Sequence, residues 1–163
     1  RYPRGNGIGT ELPSINEKLE IGKGRVITEG KKIALLNFGT RLNECLIAQK
    51  NLSKKGINIT IVDARFAKPL DESLIWQLAT DHEVLISIEE GSVGGFGSHV
   101  AQFLLDKNLL DNKLKFRSMI LPDKFIDHNK PEVMYKLAGL DAESIENKIF
   151  DCLNSKVIIK KTN

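Results

Sequence analysis

The sequence predicts an α/β domain of three layers, a mostly parallel sheet of about five strands with helices on both faces. Short β-rich runs alternate with segments of helical spacing along most of the chain. One of those runs, Ile33–Phe38, reads as a strand buried on both faces. The 163-residue length suits one such domain with trimmings.

Taken in order, Gly24–Thr28 reads as a short strand that ends at the Glu29-Gly30 turn. Ile33–Phe38 is a continuous apolar run and a buried strand. Gly39-Thr40 opens a helix carrying Leu42, Cys45, Leu46 and Leu52 inward. Lys54-Lys55-Gly56 closes it, with basic charge at the negative helix end and a glycine stop. Ile57–Val62 is the next strand, and Pro69 and Asp71 start a second helix with Leu74, Ile75 and Leu78 inward. Val84–Ile88 is a strand, Gly91–Gly97 a glycine-rich turn, and Val100, Phe103 and Leu104 mark a third helix. Phe116–Leu121 is the last strand, stopped by Pro122. Pro131–Leu137 is a short helix, and Asp141 caps a longer one with Ile145, Ile149, Cys152 and Leu153 on one face. Residues 1–20 read as a Gly- and Pro-rich connector, 21–155 as the domain and 156–163 as a basic tail.

Composition narrows the function classes. Apolar residues at 41% and charged residues at 28% are the balance of a globular protein. A net charge of +3 is too small for a nucleic-acid footprint, and no apolar run reaches the ~20 residues that span a bilayer. Cys45 and Cys152 are flanked by apolar residues and are expected as buried small hydrophobes, without zinc-type spacing. The chain opens Arg1-Tyr2-Pro3-Arg4-Gly5 with no Met, and reads as a piece of something longer.

Candidate chemistry sits at strand ends. Glu89-Glu90-Gly91-Ser92-Val93-Gly94-Gly95-Phe96-Gly97 could present backbone N–H groups to a phosphate. It follows a late strand, carboxylates precede it, and the acid of a dinucleotide site is absent about 20 residues on. A tight strand-to-helix turn is the simpler reading, with Glu89 and Glu90 left for a subunit interface or for ordering the loop. Adjacent residues at a strand end face opposite ways, so the two glutamates do not form a proton-sharing pair. His82, His99 and His128 fall on separate elements; His82 is expected in solvent, and His128 in a loop as a packing or partner contact. Asp63 and Arg65 lie where α/β sheets place their sites, and an ion-pair network that orders the loop is the favoured role. Arg4, on a loop stiffened by Pro3, suits bidentate phosphate recognition. A free-standing nucleotide-binding module using the glycine turn is the competing function.

Several segments carry a resemblance. Arg1-Tyr2-Pro3-Arg4-Gly5-Asn6, the Leu35–Thr40 stretch, Asp63–Asp71, Glu89–Ser98 and above all Leu121-Pro122-Asp123-Lys124-Phe125-Ile126-Asp127-His128 resemble the end of 1-deoxy-D-xylulose-5-phosphate synthases. The likeness runs from residue 1 to about residue 153, and the glycine turn is shared with transketolases and 2-oxoacid dehydrogenase β subunits. It implies the C-terminal, transketolase-like domain of a homodimeric transferase that condenses pyruvate with glyceraldehyde 3-phosphate and releases carbon dioxide. Its product feeds isoprenoid and thiamine synthesis. Thiamine diphosphate and Mg2+ would be held by upstream domains of the same polypeptide, so this chain alone would be inactive and would bind no cofactor or metal. Arg4 matches the family arginine that binds the phosphate of glyceraldehyde 3-phosphate. The resemblance implies a cytoplasmic, bacterial parent; a targeting segment would lie ahead of Arg1, which leaves a plastid parent open.

Overall fold

The computed structural model describes residues 18–111 and 113–154. Arg4, most of the connector and the basic tail lie outside the described residues. The sheet has five strands: β1 (Arg25–Thr28), β2 (Lys32–Phe38), β3 (Thr60–Asp63), β4 (His82–Glu89) and β5 (Lys115–Met119). Their order is β1-β3-β2-β4-β5. β2 pairs parallel with β3 and β4, β4 pairs parallel with β5, and β1 is an antiparallel edge on β3.

The helices are α1 (Leu42–Ser53), α2 (Glu72–Asp81), α3 (Phe96–Asp106), α4 (Pro131–Leu137) and α5 (Ala142–Asn154). Successive residues of β2 enter different cores, which is why its apolar run is continuous. Ile33 and Leu35 pack with Cys45 and Leu52 of α1 and Ile145 and Ile149 of α5. Ala34 and Leu36 pack with Ile75 and Leu78 of α2 and Val100 and Leu104 of α3. Each fully buried Leu or Ile contributes about 1.5–3 kcal/mol. Burial pushes the Cys45 thiol up to about 12, with Glu44 adding to the shift, so it is an inert core group.

Polar groups fix α5 on this face. Glu44 accepts from the Ala142 N–H at 3.0 Å, and Asp141 caps the helix through the Ser144 N–H at 3.2 Å. Glu146 accepts from Asn51 at 2.8 Å and pairs with Lys55 at 3.0 Å. Burial alone would raise the Glu146 carboxyl; Asn51 and Lys55 outweigh it and hold it below its ordinary value.

Three expectations are corrected, the first being the last strand, which ends at Met119 rather than Leu121, whose N–H donates to the Gly91 carbonyl instead. β3 begins at Thr60, not Ile57, because the backbone ahead of it is already committed: the Ile57 N–H donates to Leu52 and the Asn58 carbonyl accepts from Lys31. His82 is half-buried rather than solvated. It opens β4 with its ring between the Thr60 hydroxyl at 2.8 Å and the Leu78 carbonyl at 3.0 Å. The Leu78 carbonyl can only accept, so Nδ1 carries a proton.

Leu35 is fully buried at the centre of the sheet, so Leu35→Ala is expected to cost about 2–5 kcal/mol. Urea denaturation monitored by circular dichroism reads this; a loss below ~1 kcal/mol would contradict the packing described.

Candidate functional site

The strand order creates one distinguished place. β3 and β4 flank β2 on opposite sides, so the chain leaves β2 and β4 in different directions. In open α/β sheets the crevice outside the carboxyl ends of such strands is where ligands bind. Here it receives the Gly39–Arg41 turn after β2 and the Glu89–Gly97 turn after β4.

Glu89 ends β4 and Glu90 directly follows it, and the two turn to opposite sides of the sheet. Glu89, 4% exposed, accepts from the Phe96 N–H at 3.0 Å and the Gly97 N–H at 2.7 Å. Gly95 offers no side-chain cap to α3, so the Glu89 carboxylate satisfies the first amides and sits at the positive helix end. A Cβ on Gly91 or Gly95 would collide with Glu89 Oε2, which explains both glycines. The turn that resembles a phosphate cradle therefore encloses a carboxylate of its own chain.

Glu90 works on the other face. It accepts from the Thr40 hydroxyl, and its Oε1 lies 2.8 Å from Arg41 Nε, an ion pair without aligned hydrogen-bond geometry. The Arg41 guanidinium stacks 3.6 Å over the Tyr135 ring. Burial first, then the hydrogen bond to Glu90 and its charge, push the Tyr135 phenol above its ordinary value, with Arg41 acting the other way. The cluster joins the start of α1, the end of β4 and α4, which buries no residue of its own. Beneath it, Asn37 donates to the Gly39 carbonyl at 2.8 Å, while its buried Oδ1 has no partner among the described residues.

Arg65 adopts a φ of 57°, a conformation costly for a side chain with a Cβ. Its N–H is held by Asp63 Oδ1 at 3.3 Å. Asp63 Oδ2 is taken by Arg25, at 3.1 Å from both Nε and a terminal nitrogen, leaving Arg65 Nε at 3.9 Å. Asp71 caps α2 through the Leu74 N–H at 3.2 Å and accepts from the Gly24 N–H at 3.0 Å. His128 is exposed in the loop after β5 and makes no hydrogen bond or ion pair among the described residues.

The structure thus brings Arg65, Glu89 and Glu90 to the carboxyl edge of the sheet, where their side chains are used by different neighbours, and leaves His128 exposed in the loop after β5. Thr40, Arg41 and Tyr135 were missed by sequence reasoning. No spacing links residues on α1 and α4; the one available signal was a Thr-Arg pair at a strand-to-helix turn. Among the described residues no three His, Cys, Asp or Glu side chains are grouped to hold a metal ion.

Fold and site define the class: a doubly wound α/β domain whose ligand crevice is closed by its own carboxylates. The particular family follows from comparison. The model described as Transketolase, C-terminal domain, matches residues 22–145, and the chain belongs to that family. A split-gene transketolase, solved as an inactive β4 tetramer, superposes with a TM-score of 0.74 at 25% identity, over 88% of this chain and 46% of its own. The transketolase from Campylobacter jejuni subsp. jejuni NCTC 11168 superposes with a TM-score of 0.56 at 16% identity, over 80% of this chain and 18% of its own. The second likeness is one of fold alone, and this chain spans less than half the length of either structure.

Two outcomes follow from the geometry. Glu89→Ala would leave two buried N–H groups unpaired and cost about 2–4 kcal/mol in chemical denaturation, with Glu89→Gln costing less. A neutral effect of Glu89→Ala would refute the capping role. Burial alone would raise the Asp71 carboxyl, but Ser73, the Gly24 and Leu74 amides and Lys23 together hold it below its ordinary value. Its stabilisation is therefore present above the unfolded carboxyl's range and lost as pH falls through the folded value. Asp71→Asn should flatten the acid limb of a plot of stability against pH; an unchanged limb would contradict this.

Proposed function

We propose that this chain is the C-terminal domain of a 1-deoxy-D-xylulose-5-phosphate synthase, the thiamine-diphosphate transferase that condenses pyruvate with glyceraldehyde 3-phosphate and releases carbon dioxide. One observation supports the reading most. Asp63–Asp71, Glu89–Ser98 and Leu121–His128, three segments that carry the resemblance, all follow parallel strands and meet at the same edge of the sheet. The Leu121 N–H donates to the Gly91 carbonyl at 2.8 Å, joining two of them directly.

The described residues do not fit thiamine diphosphate and its metal. Glu89 occupies the helix end where a diphosphate would sit, and among them no three His, Cys, Asp or Glu side chains are grouped to hold a metal ion. The cofactor belongs, in this reading, to domains upstream in the same polypeptide, and the working enzyme is a homodimer. This chain completes the subunit and supplies Arg4, which anchors the acceptor's phosphate away from the bond being made. Binding energy gained there is spent on orientation. Transketolase itself is the second reading, favoured by the 25%-identical split-gene protein.

The test is an assay of the full-length polypeptide. Consumption of pyruvate with glyceraldehyde 3-phosphate, with release of carbon dioxide, is expected. Two-carbon transfer between sugar phosphates without any need for pyruvate would overturn the reading in favour of transketolase. Arg4→Ala should cost about 1.5–3 kcal/mol, a loss of roughly 10- to 100-fold in kcat/KM for glyceraldehyde 3-phosphate. The KM for pyruvate should not move, and an equal effect on both substrates would remove Arg4 from the phosphate site.

A further inference from the structure

The amino edge of the sheet, at the far end from the strand-end crevice, holds a titratable ring in a hydrogen-bond chain with two complete arrangements. His82 opens β4 opposite Lys32, the first residue of β2. Its ring reaches past β2 to Thr60, the first residue of β3. Thr60 carries the chain on into the turn between β1 and β2. Its hydroxyl oxygen accepts from the Gly30 N–H at 3.0 Å and lies 3.4 Å from the Gly30 carbonyl. The Leu78 carbonyl at the other ring nitrogen belongs to α2, so the chain joins four elements.

The proton count of the ring selects between the arrangements. In the neutral ring Nδ1 donates to Leu78, which leaves Nε2 as an acceptor. The Thr60 hydroxyl, 2.8 Å away, then donates to Nε2 and has no proton for the Gly30 carbonyl. In the charged ring Nε2 has taken a proton from solvent and donates to Thr60 Oγ1. The hydroxyl proton is thereby released to the Gly30 carbonyl. Thr60 Oγ1 now accepts from Nε2 and from the Gly30 N–H and donates once, the full capacity of a hydroxyl. Neither state leaves the ring or the hydroxyl without a partner, so no lost bond opposes the exchange.

Protons can reach the ring. His82, Thr60 and Gly30 line an open hollow of about 460 Å3, far more than the ~30 Å3 that a water molecule takes up. The charges facing the ring there are mixed. α2 contributes Asp81 and its negative helix end, β4 contributes Glu83, and the β1–β2 turn contributes Glu29, Lys31 and Lys32. β3 offers only the Thr60 hydroxyl to this hollow, and Lys32 and Glu83 pair with each other at 3.7 Å.

The turn is placed to register the change. Lys32 has a φ of 64°, and the Ile33 N–H donates to the Lys31 carbonyl at 2.8 Å, closing a three-residue turn of the strained hand. Gly30 is pressed on the chain ahead of β3, where a Cβ would strike the Ile59 backbone. A bond is therefore exchanged there without a loop being displaced.

We propose that His82, Thr60 and Gly30 form a proton-operated switch, in which charging the ring turns the Thr60 hydroxyl from Nε2 to the Gly30 carbonyl and fastens the β1–β2 turn to β3. The switch holds for either reaction named above.

Nuclear magnetic resonance of the 163-residue chain tests it. With the ring neutral, nitrogen–proton correlations should show the Nδ1–H tautomer of His82 favoured by at least about fivefold, the worth of one net hydrogen bond. As pH falls through the range where histidines take up a proton, about 8 to 5, the Gly30 amide should shift with the same midpoint as the ring. Thr60→Ser should keep that response. Thr60→Val and His82→Gln should each abolish it, while the amides of α1 and α5 stay in place and report an intact fold. A dominant Nε2–H tautomer, or a Gly30 amide that ignores the ring in the wild-type chain, would overturn the proposal. So would an undiminished response in Thr60→Val, because the field of the charged ring alone would then explain it, or a response that survives in His82→Gln.

Discussion

Two adjacent carboxylates at the end of β4 hold the structure's most demanding corner together. Glu89 and Glu90 point to opposite faces because the strand alternates, and each meets a different helix start. Glu89 takes the first amides of α3. Glu90 gathers Thr40 and Arg41 at the head of α1 and Tyr135 on α4. A buried carboxylate is tolerable only when its charge is answered, and here a helix end answers one and a guanidinium the other. Replacing either would loosen the crossovers on that face, which explains why the two acids sit side by side at the crevice of the sheet.

The same pair decides what the crevice can do. In this topology the space beyond β2 and β4 is the place for a ligand, and a glycine turn leading into a helix invites a phosphate. Glu89 puts a negative charge where that phosphate would lie, and Gly91 and Gly95 are glycines because a Cβ would strike its oxygen. The glycines serve an internal ligand.

Much of the fold was legible in the sequence. The apolar run Ile33–Phe38, the cap at Asp71, the stop after Leu52 and the spacing of Ile145, Ile149 and Cys152 each encode a local rule, and the strands and helices follow them. Local rules also marked Glu89, Glu90, Arg65 and the loop with His128 as places to look. They failed where a local preference lost to a distant partner. Ile57–Ile59 has strand chemistry, but its backbone groups close α1 and the turn before β2. His82 has the sequence surroundings of a surface residue, yet Thr60 on β3, two strands away, accommodates its ring.

The sequence by itself determined the layer architecture, the buried character of both cysteines and the strand-end position of the candidate residues. Periodicity, capping and burial preference are properties of short windows, and short windows are all that those features need. Tertiary structure alone decided which partners these residues meet. Arg41 finds Tyr135 and Glu90, Asp63 is divided between Arg25 and Arg65, and the antiparallel β1 brings the start of the domain to the carboxyl edge. Those pairings join residues many positions apart, and their geometry exists only once the strands have been ordered.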